Sequence, residues 1–165
     1  MDMAKACLKD GSAFGICLIR EGREVGAPAL PCEVGTLATI GTWDMEQLGV
    51  LNIVATGSGR FRILERRVQP DGLARASVEI LPAEADSKVP ADCARCVKLL
   101  ERVIADHRDL FETPHRLDSS AWVASRLAEV LPLPLGLKQE LLETDEGAAR
   151  LARINALLAG APAAP

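Results

Sequence analysis

The sequence predicts an α+β fold, in which a β-rich first half is followed by a helical second half. Residues 1–82 contain about five apolar or alternating runs separated by Gly/Pro turns, the pattern of an antiparallel meander. After the linker 83–90, the apolar period changes to the three-to-four-residue spacing of amphipathic helices. Strands followed by helices is an α+β order. We therefore expect a β-rich subdomain at 1–82, a helical subdomain at 91–160 and a disordered tail at 161–165.

The first half begins with a short helix, residues 1–10, which Gly11 ends because glycine adopts positive φ without strain. The next apolar runs are expected to be strands: Phe14–Ile19, Val34–Ile40 and Val50–Thr56. The segment "GTWDMEQLG" is expected to be a turn or loop between two of them.

The remaining strands of the first half are expected in two hairpins. Gly57-Ser58-Gly59 predicts a tight turn before the strand Arg60–Val68, and Pro70-Asp71-Gly72 predicts a turn before the strand "LARASVEIL". In that last strand the apolar residues alternate with polar ones and share one face: Ala74, Ala76, Val78 and Ile80.

Four helices are predicted in the second half. The apolar stripe of the first runs from Ala91 to about Phe111. The second begins at a cap near Asp118 or Ser119 and reaches Val130, where two prolines that lack a backbone N–H end it. The last two are a short helix, Leu135–Glu143, and one capped near Thr144 that ends at Gly160.

Composition limits the classes of function. The 165 residues are 48% hydrophobic, enough for a packed core, and their net charge of −4 gives no excess of cations for nucleic-acid phosphates. Aromatic residues make up 3%, which leaves few platforms for stacking bases. Five scattered cysteines, without a secretory leader or a membrane-length apolar run, favour the cytoplasm. We expect neither nucleic acid nor a membrane as partner.

No catalytic, cofactor-binding or metal-binding residues are nominated. Cys93 and Cys96 form a C-x-x-C motif, but His107 would lie about 16 Å from Cys96 on a continuous helix, too far to share a zinc ion. Cys93, near a helix N-terminus, could have a reactive thiol, although Asp92 opposes this. We therefore expect both cysteines to pack on an apolar helical stripe, with a redox role for Cys93 as the alternative.

Trp43 and Met45 are the candidate polypeptide-binding residues. Both are large and apolar within the predicted "GTWDMEQLG" loop, where polar residues are usual. Such side chains suit adaptable contacts with another polypeptide. The alternative is that Trp43 folds back into the core.

Four stretches in this order are similar to one family: "FGICLIREGREVG", "VGTLATI", "TGSGRFRILE" and "WVASRLAEVLPLPLGLKQELLETDEGAARLARINALL". They resemble the N-terminal, substrate-binding domain of Lon proteases, and most closely the free-standing bacterial proteins built from that domain alone. The resemblance covers residues 3 to about 158. It implies a PUA-like β-barrel followed by a helical bundle, and a non-catalytic module that binds unfolded or hydrophobic polypeptides. With neither an ATPase nor a peptidase motif, the chain would at most assist an ATP-dependent protease.

Two further expectations follow from the resemblance. Family members usually begin with a further strand, so the sheet here is expected to have an open edge that allows self-association. The alternative function is RNA binding, because PUA-like barrels elsewhere hold RNA. Its candidate residues are the basic cluster of Arg60, Arg62, Arg66 and Arg67.

Overall fold

The protein is described here by a computed structural model, in which the described residues are 2–47, 50–85, 87–111 and 113–160. The chain divides into two compact units, the first ending at Ala83 and the second beginning at Glu84. Strands lie in the first unit and most of the described helices in the second, so the predicted α+β class is confirmed. The expected disordered tail, 161–165, lies outside the described residues.

In its described residues, the first unit combines one helix with six strands. Its elements are α1 (Asp2–Asp10), β1 (Phe14–Ile16), β2 (Ile19–Glu21), β3 (Leu30–Pro31), β4 (Val34–Gln47), β5 (Val50–Val68) and β6 (Ala74–Ile80). The predicted ends of two elements are confirmed. Gly11 has φ +69° and donates its N–H to the carbonyl of Cys7 (2.8 Å), which closes α1. Gly72 has φ +85° and donates to Gln69 (2.9 Å) in the turn before β6.

Backbone hydrogen bonds join β1, β4, β5 and β6, in that order, into an antiparallel four-stranded sheet. Strands β2 and β3 form a separate two-stranded ladder. The predicted meander is therefore confirmed. Closure into a barrel would need a ladder between the outer strands β1 and β6. Within the described residues β1 pairs with β4 and β6 with β5, so the sheet is open.

The hairpin predicted at Gly57-Ser58-Gly59 is wrong, because β5 runs through it without turning. Across the ladder, Gly59 pairs with Leu37 and Gly57 with Ala38, so Ser58 is an extra residue in a β-bulge. Its hydroxyl donates to the carbonyl of Leu37 (3.3 Å). Glycine serves here for close approach: a Cβ on Gly57 would lie 3.2 Å from Thr36 Cγ2.

The true hairpin lies earlier in the chain, where Gln47 of β4 pairs with Val50 of β5. The predicted "GTWDMEQLG" loop is therefore wrong as well, because Gly41–Gln47 extends β4. The single strand predicted at Phe14–Ile19 is divided. Ile16 pairs with Thr36 in the large sheet, whereas Ile19 pairs with Pro31 in the small ladder.

The second unit contains four α-helices in the described residues. They are α2 (Ala94–Asp106), α3 (Ser120–Val130), α4 (Leu135–Glu143) and α5 (Gly147–Gly160). The bounds predicted for α4 are confirmed, and so is the cap of α3, where the Ser119 hydroxyl accepts the N–H of Trp122 (3.2 Å). The first helix is shorter than predicted: it ends at Asp106, and Leu110 is 65% exposed.

The start predicted for α5 is wrong by a few residues. Thr144 closes α4 instead, since its N–H donates to Glu140 and Leu141 carbonyls (3.1 and 3.3 Å). The helix begins at Gly147, which is buried against α3. A Cβ on this glycine would lie 2.5 Å from the Cα of Ala121, so the two helices approach too closely for a side chain here.

The core of the second unit follows the predicted helical period. Its buried residues are Cys93, Cys96, Leu100, Phe111, Val123, Ala124, Leu127, Leu141, Leu151 and Ile154. One cation is also buried, Arg150 of α5, which pairs with Glu84. Its guanidinium further donates to the carbonyls of Leu141 (2.7 Å) and Thr144 (2.6 Å) and to the Ser125 hydroxyl (3.0 Å). These bonds satisfy the charge inside the unit.

Candidate polypeptide-binding surface

The end of the β4–β5 hairpin, called here the hairpin tip, comprises 41–47 and 50–54. It carries five large apolar side chains that water reaches: Trp43 (57% exposed), Met45 (38%), Val50 (47%), Ile53 (37%) and Val54 (66%). Apolar side chains gathered at an exposed end of a sheet are typical of contact sites for other polypeptides.

The strand register divides the hairpin tip into two faces. Trp43 pairs directly with Ile53, and paired residues of an antiparallel ladder point to the same side. Val54 pairs with Thr42 and lies on the other side. A flat indole beside a branched aliphatic side chain therefore forms the apolar surface of one face.

The backbone also shapes the hairpin tip. Register shifts occur between Ile40 and Thr42 and between Asp44 and Gln47, so irregular pairings flank the Trp43–Ile53 pair. Such bulges increase the local twist and re-aim side chains. The carboxylate of Asp44 accepts the N–H of Met45 (2.6 Å), which fixes the backbone beside the tryptophan.

The residues predicted to bind polypeptides are both at this hairpin tip. Trp43 does not fold back into the core, since 57% of its surface is exposed, so that alternative is wrong. Sequence reasoning missed Val50, Ile53 and Val54, because "VLNIVAT" has the composition of a buried strand. These three side chains are exposed because they lie near the end of the long hairpin that β4 and β5 form. The binding role of Trp43 and Met45 remains a prediction.

The basic cluster considered for RNA is divided by the strand geometry. Arg66 pairs with Ala76 and Arg67 with Arg75, so these two neighbours lie on opposite faces of the sheet. Arg66 also donates to the carbonyl of Ala29 (2.7 Å). Glu79 lies opposite Arg62 in the ladder, so a carboxylate is interleaved with the guanidinium groups. The arrangement offers no uniformly cationic face for a phosphate backbone.

The C-x-x-C cysteines pack in the helical core. Cys93 and Cys96 are 1% and 0% exposed. The pKa of Cys96 is raised to about 11, mainly by burial and secondly by the neighbouring Cys93. The pKa of Cys93 is also raised, mainly by burial and secondly by the charge of Asp92. High pKa values keep thiols protonated and unreactive, which favours packing over the redox reading. In the described part of the chain, no three His, Cys, Asp or Glu residues converge into a metal site.

Among the described helices, none combines the length and the apolar character that crossing a bilayer requires.

Comparison with known proteins gives the family. The family model for the substrate-binding domain of ATP-dependent protease La (LON) matches residues 1–160. A Lon N-terminal domain protein from Xanthomonas campestris has a similar structure, with a TM-score of 0.76 and 33% identity over 98% of this chain and 83% of that one. No curated protein sequence matches the chain.

A second solved structure supports the fold alone. The N-terminal domain of the Mycobacterium avium complex Lon protease is 22% identical, with a TM-score of 0.68 over 98% of this chain and 83% of that one. The family match over almost the whole chain and the 33% identity of the Xanthomonas structure carry the assignment. The chain belongs to the LON substrate-binding domain family.

Proposed function

We propose that this chain is a non-catalytic module that binds unfolded or hydrophobic polypeptides in the cytoplasm. The observation that carries the proposal is the exposed Trp43–Ile53 pair at the hairpin tip, with Met45 beside it in sequence. Family membership supplies the general role, because the domain is described as substrate-binding. The hairpin tip supplies a chemical reason, since an unfolded polypeptide exposes the apolar side chains that a folded one buries.

Several observations support a role without catalysis. The buried cysteines, Cys93 and Cys96, have raised pKa values, which keep their thiols protonated and poorly nucleophilic. No Walker A lysine motif occurs in these 165 residues. These residues would therefore supply binding, and not the ATP-driven step of delivery to a protease. The thiols of all five cysteines are free, in keeping with a reducing cytoplasm.

The test compares binding of an unfolded and a folded form of the same protein. Reduced, carboxymethylated lactalbumin, which cannot refold, is expected to bind, whereas native lactalbumin is not. Trp43→Ala is expected to weaken binding roughly 5- to 30-fold, the loss of about 1–2 kcal/mol at an aromatic contact. Met45→Ala is expected to have a smaller effect in the same direction.

Leu64→Ala is the matched control, because Leu64 is an exposed apolar residue of β5 outside the hairpin tip. It should leave affinity unchanged. Unchanged affinity in Trp43→Ala and Met45→Ala, with the fold intact by circular dichroism, would remove both residues from the site. Equal binding of RNA and unfolded protein, with RNA affinity falling steeply as salt rises, would favour the alternative function.

A further inference from the structure

One side of the hairpin around its tip is apolar throughout. Trp43 pairs with Ile53 and Ile40 with Ala55, and the residues of each pair point to the same side. Leu51 and Ala55 are each two residues from Ile53, so they share its side. Ile40, Leu51 and Ala55 are partly buried, whereas Trp43 and Ile53 are 57% and 37% exposed. These five residues are called here the apolar face.

The other side of the same hairpin is mostly polar. Asp44 pairs with Asn52 and Thr42 with Val54, and these residues alternate with those of the apolar face. Val54 is the apolar exception. A partner that buries apolar surface therefore gains more from the apolar face than from the other side.

The length of the apolar face limits the apolar segment that it can cover. Leu51 to Ala55 spans about 13 Å, at ~3.3 Å per residue. Gly57, the next residue of β5 on this side, has no side chain to extend the contact. An extended polypeptide with the same rise would place about five residues along this face.

The hairpin tip is also acidic. Residues 24–59, which include the whole hairpin tip, contain four acidic residues and no Lys, Arg or His. Two of these acidic residues, Asp44 and Glu46, lie in the hairpin tip, and Asp44 directly follows Trp43 and is exposed. Arg60, the next cation of β5, is about 20 Å along the strand from the hairpin tip, or twice the Debye length of about 10 Å at 0.1 M salt. The hairpin therefore contributes a negative potential at its tip.

We propose, on the basis of the polypeptide-binding role proposed above, that the hairpin tip selects unfolded segments in which about five apolar residues are flanked by Lys or Arg. The apolar residues of the segment cover the apolar face, and its flanking cations lie within the negative potential around Asp44. The long stems of Lys and Arg add apolar contact while their charges stay in water. Acidic flanks are repelled, so charge decides which unfolded segments bind.

Matched labelled peptides test this substrate class with the 165-residue chain. All share one core of about five apolar residues, flanked on both sides by lysines, glutamines or glutamates. At about 0.1 M salt the lysine peptide is expected to bind at least about tenfold more tightly than the glutamate peptide, with the glutamine peptide between them. At about 1 M salt the Debye length falls to about 3 Å, so the difference should shrink to about twofold. Fluorescence anisotropy measures these affinities.

Asp44→Asn tests the source of the preference. The asparagine carbonyl oxygen can still accept the N–H of Met45, so the variant removes the charge and keeps the backbone contact. It is expected to weaken binding of the lysine peptide about two- to fivefold and to strengthen binding of the glutamate peptide. Circular dichroism verifies that the variant is folded.

Asp71→Asn is the matched control. The Asp71 carboxylate also accepts a backbone N–H, from Leu73 (3.0 Å), and it lies beyond the end of β5 that is opposite to the hairpin tip. This variant should leave the affinities for both peptides unchanged.

Unfolded lactalbumin separates failure of this inference from failure of the proposed function. Its cysteines can carry aminoethyl groups, which are positive, or carboxymethyl groups, which are negative, and the aminoethylated form is expected to bind more tightly. Binding of neither form would overturn the proposed function, and this inference with it. Equal binding of the two forms, tighter binding of the glutamate peptide, or an unchanged lysine preference in Asp44→Asn would overturn the charge selection alone. Peptides that fail to bind while lactalbumin binds would overturn the short apolar core.

Discussion

Trp43 of β4 and Ile53 of β5 lie directly opposite each other near the exposed end of a long hairpin. Val54, the next residue of β5, points to the other side of the same hairpin. Two adjacent residues of one strand therefore present apolar surface to opposite faces. This arrangement allows the face that binds a polypeptide to be identified by experiment.

Ile53→Ala is expected to weaken binding of an unfolded protein by about 1 kcal/mol, or roughly fivefold, because it removes aliphatic surface beside the indole. Val54→Ala is the matched variant: Val54 is more exposed (66% against 37%) but lies on the opposite face. It should leave affinity within about twofold of the wild type. Fluorescence titration with a labelled unfolded protein measures both. Equal losses in the two variants would indicate that both faces bind.

Arg150→Met is expected to destabilise the second unit by about 3–5 kcal/mol, because it leaves buried acceptors and Glu84 without their cation. Urea unfolding, followed by helical circular dichroism, measures the change. Arg153→Met is the control on the same helix, at an exposed position, and should change stability by less than about 0.5 kcal/mol. A loss below about 1 kcal/mol in Arg150→Met would show that the buried charge contributes little.

Gly147→Ala is expected to cost about 1–3 kcal/mol, because the new Cβ would lie 2.5 Å from the Cα of Ala121 and the two helices must move apart. Gly136→Ala in α4 provides a control of opposite sign. A Cβ at that position meets no atom within 4 Å, so the variant should gain up to about 1 kcal/mol from helix propensity. Thermal unfolding of both variants checks the difference. A stabilised Gly147→Ala would contradict the close approach.

The helical unit could be predicted well from the sequence, because the signals that begin and end a helix lie within or next to the helix itself. Ser119, two prolines and a regular apolar period identify α3 and α4 without information from the rest of the chain. The predicted start of α5 was wrong because threonine can occupy either end of a helix. The hydroxyl of Thr144 suits an N-terminal cap, but its backbone N–H closes α4 instead.

The sheet could be predicted less well, because strand length depends on partners distant in sequence. Gly57 and Gly59 have turn composition, yet a bulge opposite Leu37 absorbs Ser58 and lets β5 continue. Trp43 consequently lies in a strand rather than a loop. Its residue type was sufficient to nominate it for polypeptide binding, whereas Ile53 could be added only once the register was known.

Stability in alkaline solution should depend on Cys96. Burial raises its pKa from 9.0 to about 11, so folding favours the protonated thiol. This contribution, on the order of 2 kcal/mol, is fully present below pH 9 and is lost as pH rises through about 11, because the unfolded chain releases its proton first. Urea unfolding from pH 8 to 11 should show wild-type stability falling more steeply than that of Cys96→Ala. Identical slopes for the two proteins would mean that the thiol ionises in the folded chain as readily as in the unfolded one.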